Sequence, residues 1–288
     1  MKVYEMRCSI NGKYLIAAEF EKQVQIWNTE CDEKICDIQT HFLFGGKRLT
    51  VSNSGKYFSA VNYGRYGVEM YSTEDQHLLW QNKTIKQIQG VYFSADDSIL
   101  YVINNDSKMY TLSVLDGSVQ SIEKNVRYLF LTEFGMIRLS KTNELIYGTL
   151  KIPPTNFDYC DICPADEAFY YSLSGAKGLF CCNTTGANLW QNGNPIGDII
   201  QIAYNKEDNV ISAIEERISS DADIDFDYYI CSFDAQTGKV LYYQKIECDN
   251  NTYCFAFADH GKKLITNTGE VLICNSSGWQ RTSVSYKF

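Results

Sequence analysis

Ser9-Ile-Asn-Gly-Lys-Tyr-Leu-Ile-Ala17 and Ser52-Asn-Ser-Gly-Lys-Tyr-Phe-Ser-Ala60 share a serine, a glycine, a Lys-Tyr pair and the apolar residues that follow, with Gly12 and Gly55 standing 43 residues apart. A looser copy, Ser94-Ala-Asp-Asp-Ser-Ile-Leu-Tyr-Val102, puts Asp97 in the glycine position 42 residues after Gly55. Each copy reads as a tight hairpin. A strand ends at Ser, a polar turn follows in which Gly or Asp takes positive φ, and apolar alternation opens the next strand. Similar turns fall around Gly135, Asp166, Asp208 and Gly261, bringing the number to seven.

A second motif trails the first at a fixed distance. It occurs as Val24-Gln-Ile-Trp-Asn-Thr29, as Val68-Glu-Met-Tyr-Ser-Thr73 followed by Leu79-Trp-Gln-Asn82, and as Tyr110-Thr-Leu-Ser-Val-Leu-Asp-Gly117. Further copies are Leu179-Phe-Cys-Cys-Asn-Thr-Thr-Gly186, followed by Leu189-Trp-Gln-Asn192, and Ile230-Cys-Ser-Phe-Asp-Ala-Gln-Thr-Gly-Lys239. One repeat therefore reads strand, Gly/Asp turn, strand, short loop, strand, turn, strand. A four-stranded unit repeating every 42 to 43 residues predicts an all-β chain folded as a single β-propeller over residues 1–288, with seven blades of four antiparallel strands.

These motifs resemble two propeller families. Ser-x-x-Gly-Lys-Tyr-Leu and Val-x-Ile-Trp-Asn are similar to WD repeats, and Phe233-Asp-Ala-Gln-Thr-Gly-Lys-Val-Leu-Tyr242 is similar to the repeat of quinoprotein-like propellers. The chain departs from the WD pattern in having no Trp-Asp dipeptide after any strand and no Gly-His pair opening any repeat. Only 31 residues separate Gly135 from Asp166, which predicts an incomplete fourth blade whose outer strand is lost or replaced by the Pro153-Pro154 segment. Six or eight blades, or a two-domain β-sandwich, are the rival readings; the sandwich does not predict the period.

Composition agrees with a packed core: 45% hydrophobic and 14% aromatic residues against 21% charged, with 4 prolines. A formal charge of −9 disfavours a nucleic-acid partner and would attract a basic surface. The N-terminal Met1-Lys-Val-Tyr-Glu-Met-Arg-Cys-Ser9 lacks the pattern of a signal peptide, and no apolar run approaches the roughly 18 residues of a membrane span. A cytoplasmic monomer without membrane association is expected. Eleven scattered cysteines show no disulfide framework and are expected as reduced, packed thiols.

The repeat breaks most conspicuously at Glu215-Glu-Arg-Ile-Ser-Ser-Asp-Ala-Asp-Ile-Asp-Phe-Asp227, between the expected second and third strands of blade six. Six of its thirteen residues are acidic: Glu215, Glu216, Asp221, Asp223, Asp225 and Asp227. In propellers such a connection opens onto the top face, where partners dock. Three readings compete: a solvated hairpin, a surface for a basic protein partner, and a calcium loop. The calcium reading lacks the glycine and the bidentate glutamate at the required positions, which hold Phe226 and Ser232.

On the same expected face, Asn62-Tyr-Gly-Arg-Tyr-Gly67 carries Tyr63, Arg65 and Tyr66, residue types enriched at interface hot spots, although a locally packed glycine turn also accounts for them. Cys160-Asp-Ile-Cys163 is half a zinc site without a second pair of comparable spacing, since Cys31 and Cys36 belong to a distant repeat. Cys181-Cys182 lies in a strand whose neighbouring side chains point to opposite faces, which reads as core packing. His41, His77 and His260 fall in different repeats, and none adjoins a nucleophile or metal motif.

The expectation is a non-enzymatic protein interaction module, a scaffold or adaptor with a partly acidic top face, needing no metal and no cofactor. Two alternatives remain open. One is an inhibitor such as a bacterial immunity protein neutralising a basic toxin; the other is a propeller hydrolase acting on a sugar or lactone.

Overall fold

The computed structural model describes residues 3–19, 23–40, 48–62, 67–152, 158–193, 195–220, 225–247 and 254–288. They form seven antiparallel sheets, each of four consecutive strands in simple meander order. The first sheet comprises Val3–Cys8, Tyr14–Glu19, Gln23–Asn28 and Glu33–Gln39. The seventh comprises Phe255–Ala258, Lys263–Thr266, Glu270–Asn275 and Gly278–Ser285. Each is a propeller blade, and the first strand of each lines a central channel.

The repeated turn explains itself residue by residue. Gly12 and Gly55 have φ of +70° and +69°, and Asp97, their counterpart, adopts +58°. The serine hydroxyl closes the turn from inside, accepting from the N–H of Tyr14, Tyr57 and Ile99 at 3.1, 3.0 and 3.0 Å in blades one to three. Thr29 and Thr73, at the ends of the third strands, donate to the carbonyls of Gly12 and Gly55. Neighbouring turns are joined as well. Asn53 Oδ1 accepts from the Asn11 N–H at 3.0 Å, and the Asp97 carboxylate accepts from the N–H groups of Asn53 and Ser54 at 2.7 and 2.8 Å.

The apolar core is divided among the gaps between blades. Ile16, Ile26, Leu49 and Phe58 fill the gap between blades one and two; Cys163, Ile202, Ile211 and Phe233 fill that between five and six. Cys181 packs between blades five and six and Cys182 between four and five, the opposite-face placement expected of neighbours in a strand. Burial of a side chain such as Phe58 or Phe233 stabilises by roughly 1.5–3 kcal/mol each.

The duplicated Leu-Trp-Gln-Asn is an interblade latch. Trp80, in the outer strand of blade two, donates its indole N–H to the Val114 carbonyl at 2.8 Å, and Asn82 donates to the Gly117 carbonyl at 3.0 Å. Trp190 and Asn192 of blade five repeat this on Ala235 and Gly238 of blade six, at 3.1 and 2.5 Å. In both cases the tryptophan ring lies on the glycine of the next blade's outer turn.

Blade four keeps four strands, which corrects the expectation of a missing outer one. Its two outer strands, Leu145–Tyr147 and Leu150–Ile152, are cut to three residues each. The chain continues into Pro153-Pro154, residues that lack an N–H for a ladder.

The ring closes through side chains, since blades seven and one each hold four strands of their own. Lys263, buried in blade seven, donates to the Asp32 carboxylate and, at 2.8 Å, to the Thr29 carbonyl of blade one. Tyr286 donates to Asp32 at 2.6 Å, and its ring sits 4.9 Å from that of Trp27.

Candidate functional site

The second and third strands of blade six, Val210–Ile218 and Phe226–Asp234, are nine residues each, the longest among the described residues. Their register holds without a bulge from Val210 opposite Asp234 to Ile218 opposite Phe226, and the Ser219 N–H then donates to the Asp225 carbonyl at 3.1 Å. The expected long loop from Glu215 to Asp227 is therefore largely a ladder, because Ile218 and Phe226 continue the pairing past the acidic pair.

Glu215 is the clearest correction. It is fully buried in the second strand, opposite Tyr229, rather than opening an exposed loop. Its Oε1 accepts from the N–H groups of Ile196 and Gly197 at 2.9 and 2.6 Å and from Arg217 Nε at 2.6 Å. Its Oε2 accepts from Arg217 Nη2 at 3.2 Å and from the Tyr243 hydroxyl. The Arg217 guanidinium lies 4.0 Å from the centre of the Tyr229 ring and 5.3 Å from that of Tyr243. A carboxylate with this many donors pins the hairpin to the linker from blade five.

The remaining acidic residues divide. Glu216 and Asp227 are also strand residues. Burial pushes the Glu216 carboxyl above its ordinary range, opposed by a hydrogen bond from Tyr228. Asp227 pairs with Lys245 at 2.9 Å, so it is committed within the blade. Asp225 is exposed at the end of the ladder. Asp221 and Asp223 lie outside the described residues, as do Tyr63, Arg65 and Tyr66 of blade two, whose flanking Asn62 and Gly67 form the last pair of their own hairpin. Both hairpins connect second to third strands and so open on the same face of the ring.

Composition concealed what the tip of the blade-six hairpin carries. Ile218 is 86% exposed and Phe226 41% exposed, and they are direct cross-strand partners, which puts both side chains on one face of the ribbon. Ile196, also exposed, follows the outer strand of blade five on the linker held by Glu215. Alternation could have flagged Ile218, since Ile214, Glu216 and Ile218 share one side of an extended strand.

The central channel encloses about 390 Å³. Arg7 donates across it to the Val91 carbonyl at 3.0 Å and lies 4.3 Å over the Tyr92 ring. Glu5 Oε1 accepts from the Arg48 and Leu49 N–H groups at 2.7 and 3.2 Å, and Asp161 accepts from the Ile202 N–H at 2.7 Å. At one mouth Glu133 of blade four pairs with His260 of blade seven at 3.0 Å.

The ten described cysteines are all free, and burial drives most thiols upward, Cys160 to about 11 and Cys163 higher still. No group of three or more potential metal ligands is found among the described residues, and no described helix is long and apolar enough to cross a membrane.

The propeller is similar to KlHsv2 with loop 6CD replaced by a Gly-Ser linker, at a TM-score of 0.76 and 9% identity over 98% of this chain and 97% of that one. It is similar also to Hsv2 of Kluyvelomyces marxianus, at a TM-score of 0.75 and 10% identity over 99% of both chains. The fold is a seven-bladed β-propeller with four antiparallel strands in each blade. No family model matches the chain, nor does any curated protein. At such identities the likeness to the two Hsv2 propellers carries the fold alone, and the site on blade six has to be argued from its own residues.

Proposed function

We propose that this propeller is a non-enzymatic protein-binding scaffold whose docking element is the long hairpin of blade six. The observation that carries the reading is the exposed Ile218 and Phe226 pair at the end of a ladder held rigid by Glu215 and Arg217. Exposed apolar side chains on a preordered element gain affinity at little ordering cost, and the exposed Asp225, with Asp221 and Asp223 close by in sequence, makes this stretch of chain acidic. A basic protein partner suits that charge, with the apolar pair providing most of the affinity and the carboxylates speeding association.

The test compares the wild-type chain with Ile218→Ser/Phe226→Ser as bait against lysate of the source cells. A partner retained by wild type should be lost by the double variant while the melting temperature stays the same. Changing Asp221, Asp223 and Asp225 to Ser should slow association at low salt and matter little at high salt. Equal retention by all three baits would overturn the assignment of blade six.

A further inference from the structure

The two interblade latches share a mechanism and differ in surface. In the first, Leu78 and Leu79 precede Trp80, and Leu115 follows Val114, whose carbonyl accepts from the indole. The second has Asn188 and Leu189 before Trp190, and Gln236 after Ala235. Both outer strands carry a bulge beside the tryptophan, with Leu78 opposite Tyr71 in one and Asn188 opposite Cys182 in the other, so the positions correspond.

Leu115 is 86% exposed, and Leu78 and Leu79 are exposed on the strand that the latch ties to it. Since the second latch closes with Asn and Gln at two of these positions, latching gives no reason for leucine at 78 and 115. Single exposed leucines are ordinary in soluble proteins, whereas three at one latch form a patch.

The charge around the two latches differs as well. Turns joining first to second and third to fourth strands open on the ring face opposite the blade-six hairpin tip. Those of blades two and three carry Glu74, Asp75, Asp96, Asp97 and Asp116 against one lysine, Lys56. Among the described residues none of these carboxylates is in an ion pair. Hydrogen bonds from Ser94 and Ser98 hold the Asp96 carboxyl below its ordinary range, and those from Ser118 do the same for Asp116. Around the second latch the corresponding charges are largely cancelled. Lys262 pairs with Asp208 at 3.0 Å and with Glu207 at 3.1 Å, Lys206 pairs with Asp166, and the Thr184-Thr185 turn is neutral.

We propose that the latched rim of blades two and three docks a basic amphipathic segment of another protein, its apolar side chains on Leu78, Leu79 and Leu115 and its cations on the surrounding carboxylates. The latch fixes the turn that bears Leu115, so docking orders little of it. Like charge opposes a second copy of this chain, an anionic lipid surface or a nucleic acid in the same place. The site is independent of the blade-six hairpin, so failure of one assignment leaves the other standing.

The probe is the peptide KLKLKLK, with KSKSKSK as its leucine-free control and ELELELE as its charge-inverted one. In a methyl-labelled NMR titration of the full chain, KLKLKLK should shift the Leu78, Leu79 and Leu115 signals saturably while Leu189 of the second latch stays in place. KSKSKSK should bind there about tenfold more weakly, the loss expected when partial burial of leucine is removed. ELELELE should not bind. Leu115→Gln, which installs the residue type of the second latch, should weaken KLKLKLK about tenfold at the Leu78 and Leu79 signals with the melting temperature unchanged. The proposal is overturned if those signals do not respond, if either control peptide binds as tightly as KLKLKLK, or if Leu115→Gln binds like wild type. The Ile218 methyl groups report on the other site. Shifts confined to them would overturn this proposal and leave the blade-six reading standing, and Ile218→Ser/Phe226→Ser should not alter the response at Leu115.

Discussion

The ring of Trp190 occupies the space where a side chain on Gly238 would stand: a Cβ added to that glycine, in the neighbouring blade, would come within 2.5 Å of the indole. Gly238 also holds φ at +69°, so the position refuses an L side chain for two separate reasons.

Those reasons can be separated by mutation. Gly238→Ala should destabilise the chain by about 2–4 kcal/mol, the sum of a left-handed backbone penalty and the clash. In a Trp190→Ala background the same change should lose the clash and cost only about 1 kcal/mol. Urea unfolding of the four chains in the cycle measures the difference, and strict additivity would refute the latch.

Ring closure offers a second test. Asp32→Asn leaves the buried Lys263 ammonium without its carboxylate, which should cost about 3–5 kcal/mol. Lys263→Met together with Asp32→Asn should recover much of that loss, because a pair of well-packed neutral groups removes the desolvation burden. Recovery would be visible as a denaturation midpoint between wild type and the single variant.

Glu215→Ala should be severe, at about 3–5 kcal/mol, because it strips a partner from Arg217 and from the Ile196 and Gly197 amides at once. Ile218→Ser, on the same strand, should alter stability by less than about 0.5 kcal/mol. Thermal melts of these two variants separate the support of the hairpin from its tip; similar losses in both would mean that the tip is part of the core.

Glu5 gives a pH dependence. Burial, its largest influence, raises the carboxyl above the ordinary 4.5, against the lowering effects of the Arg48 and Leu49 amides and of Arg7 and Arg48. The folded chain then keeps a proton that the unfolded chain has lost, so stability falls as pH rises from about 4.5 through the raised value. Glu5→Gln retains an acceptor oxygen and removes the titration. Its melting temperature relative to wild type should therefore be higher at pH 7 than at pH 4, and a gap independent of pH would contradict the assignment.

The blade plan was legible because its devices are local. The Ser-x-x-Gly turn and the doubled Leu-Trp-Gln-Asn are written as short strings, and each does the same job wherever it recurs. The function of Glu215 was not legible, since its partners Ile196, Gly197 and Tyr243 come from a linker and another strand. A run of acidic letters reads as surface whether or not one of them is wrapped in donors. Blade four was misread for a related reason: three-residue strands carry too little alternation to register, and their existence depends on the neighbouring blades that cover them. Lys263 and Asp32 lie 231 residues apart, beyond the reach of any local pattern.

Since every blade is a complete meander and the last meets the first through Lys263, Asp32 and Tyr286 rather than through a shared strand, the ring has no privileged seam. Circular permutants cut at a different interblade linker, with the present ends joined by a flexible tether, should fold to the same ring. Such permutants would let a fluorophore or a fused enzyme be hung from any spoke of the wheel.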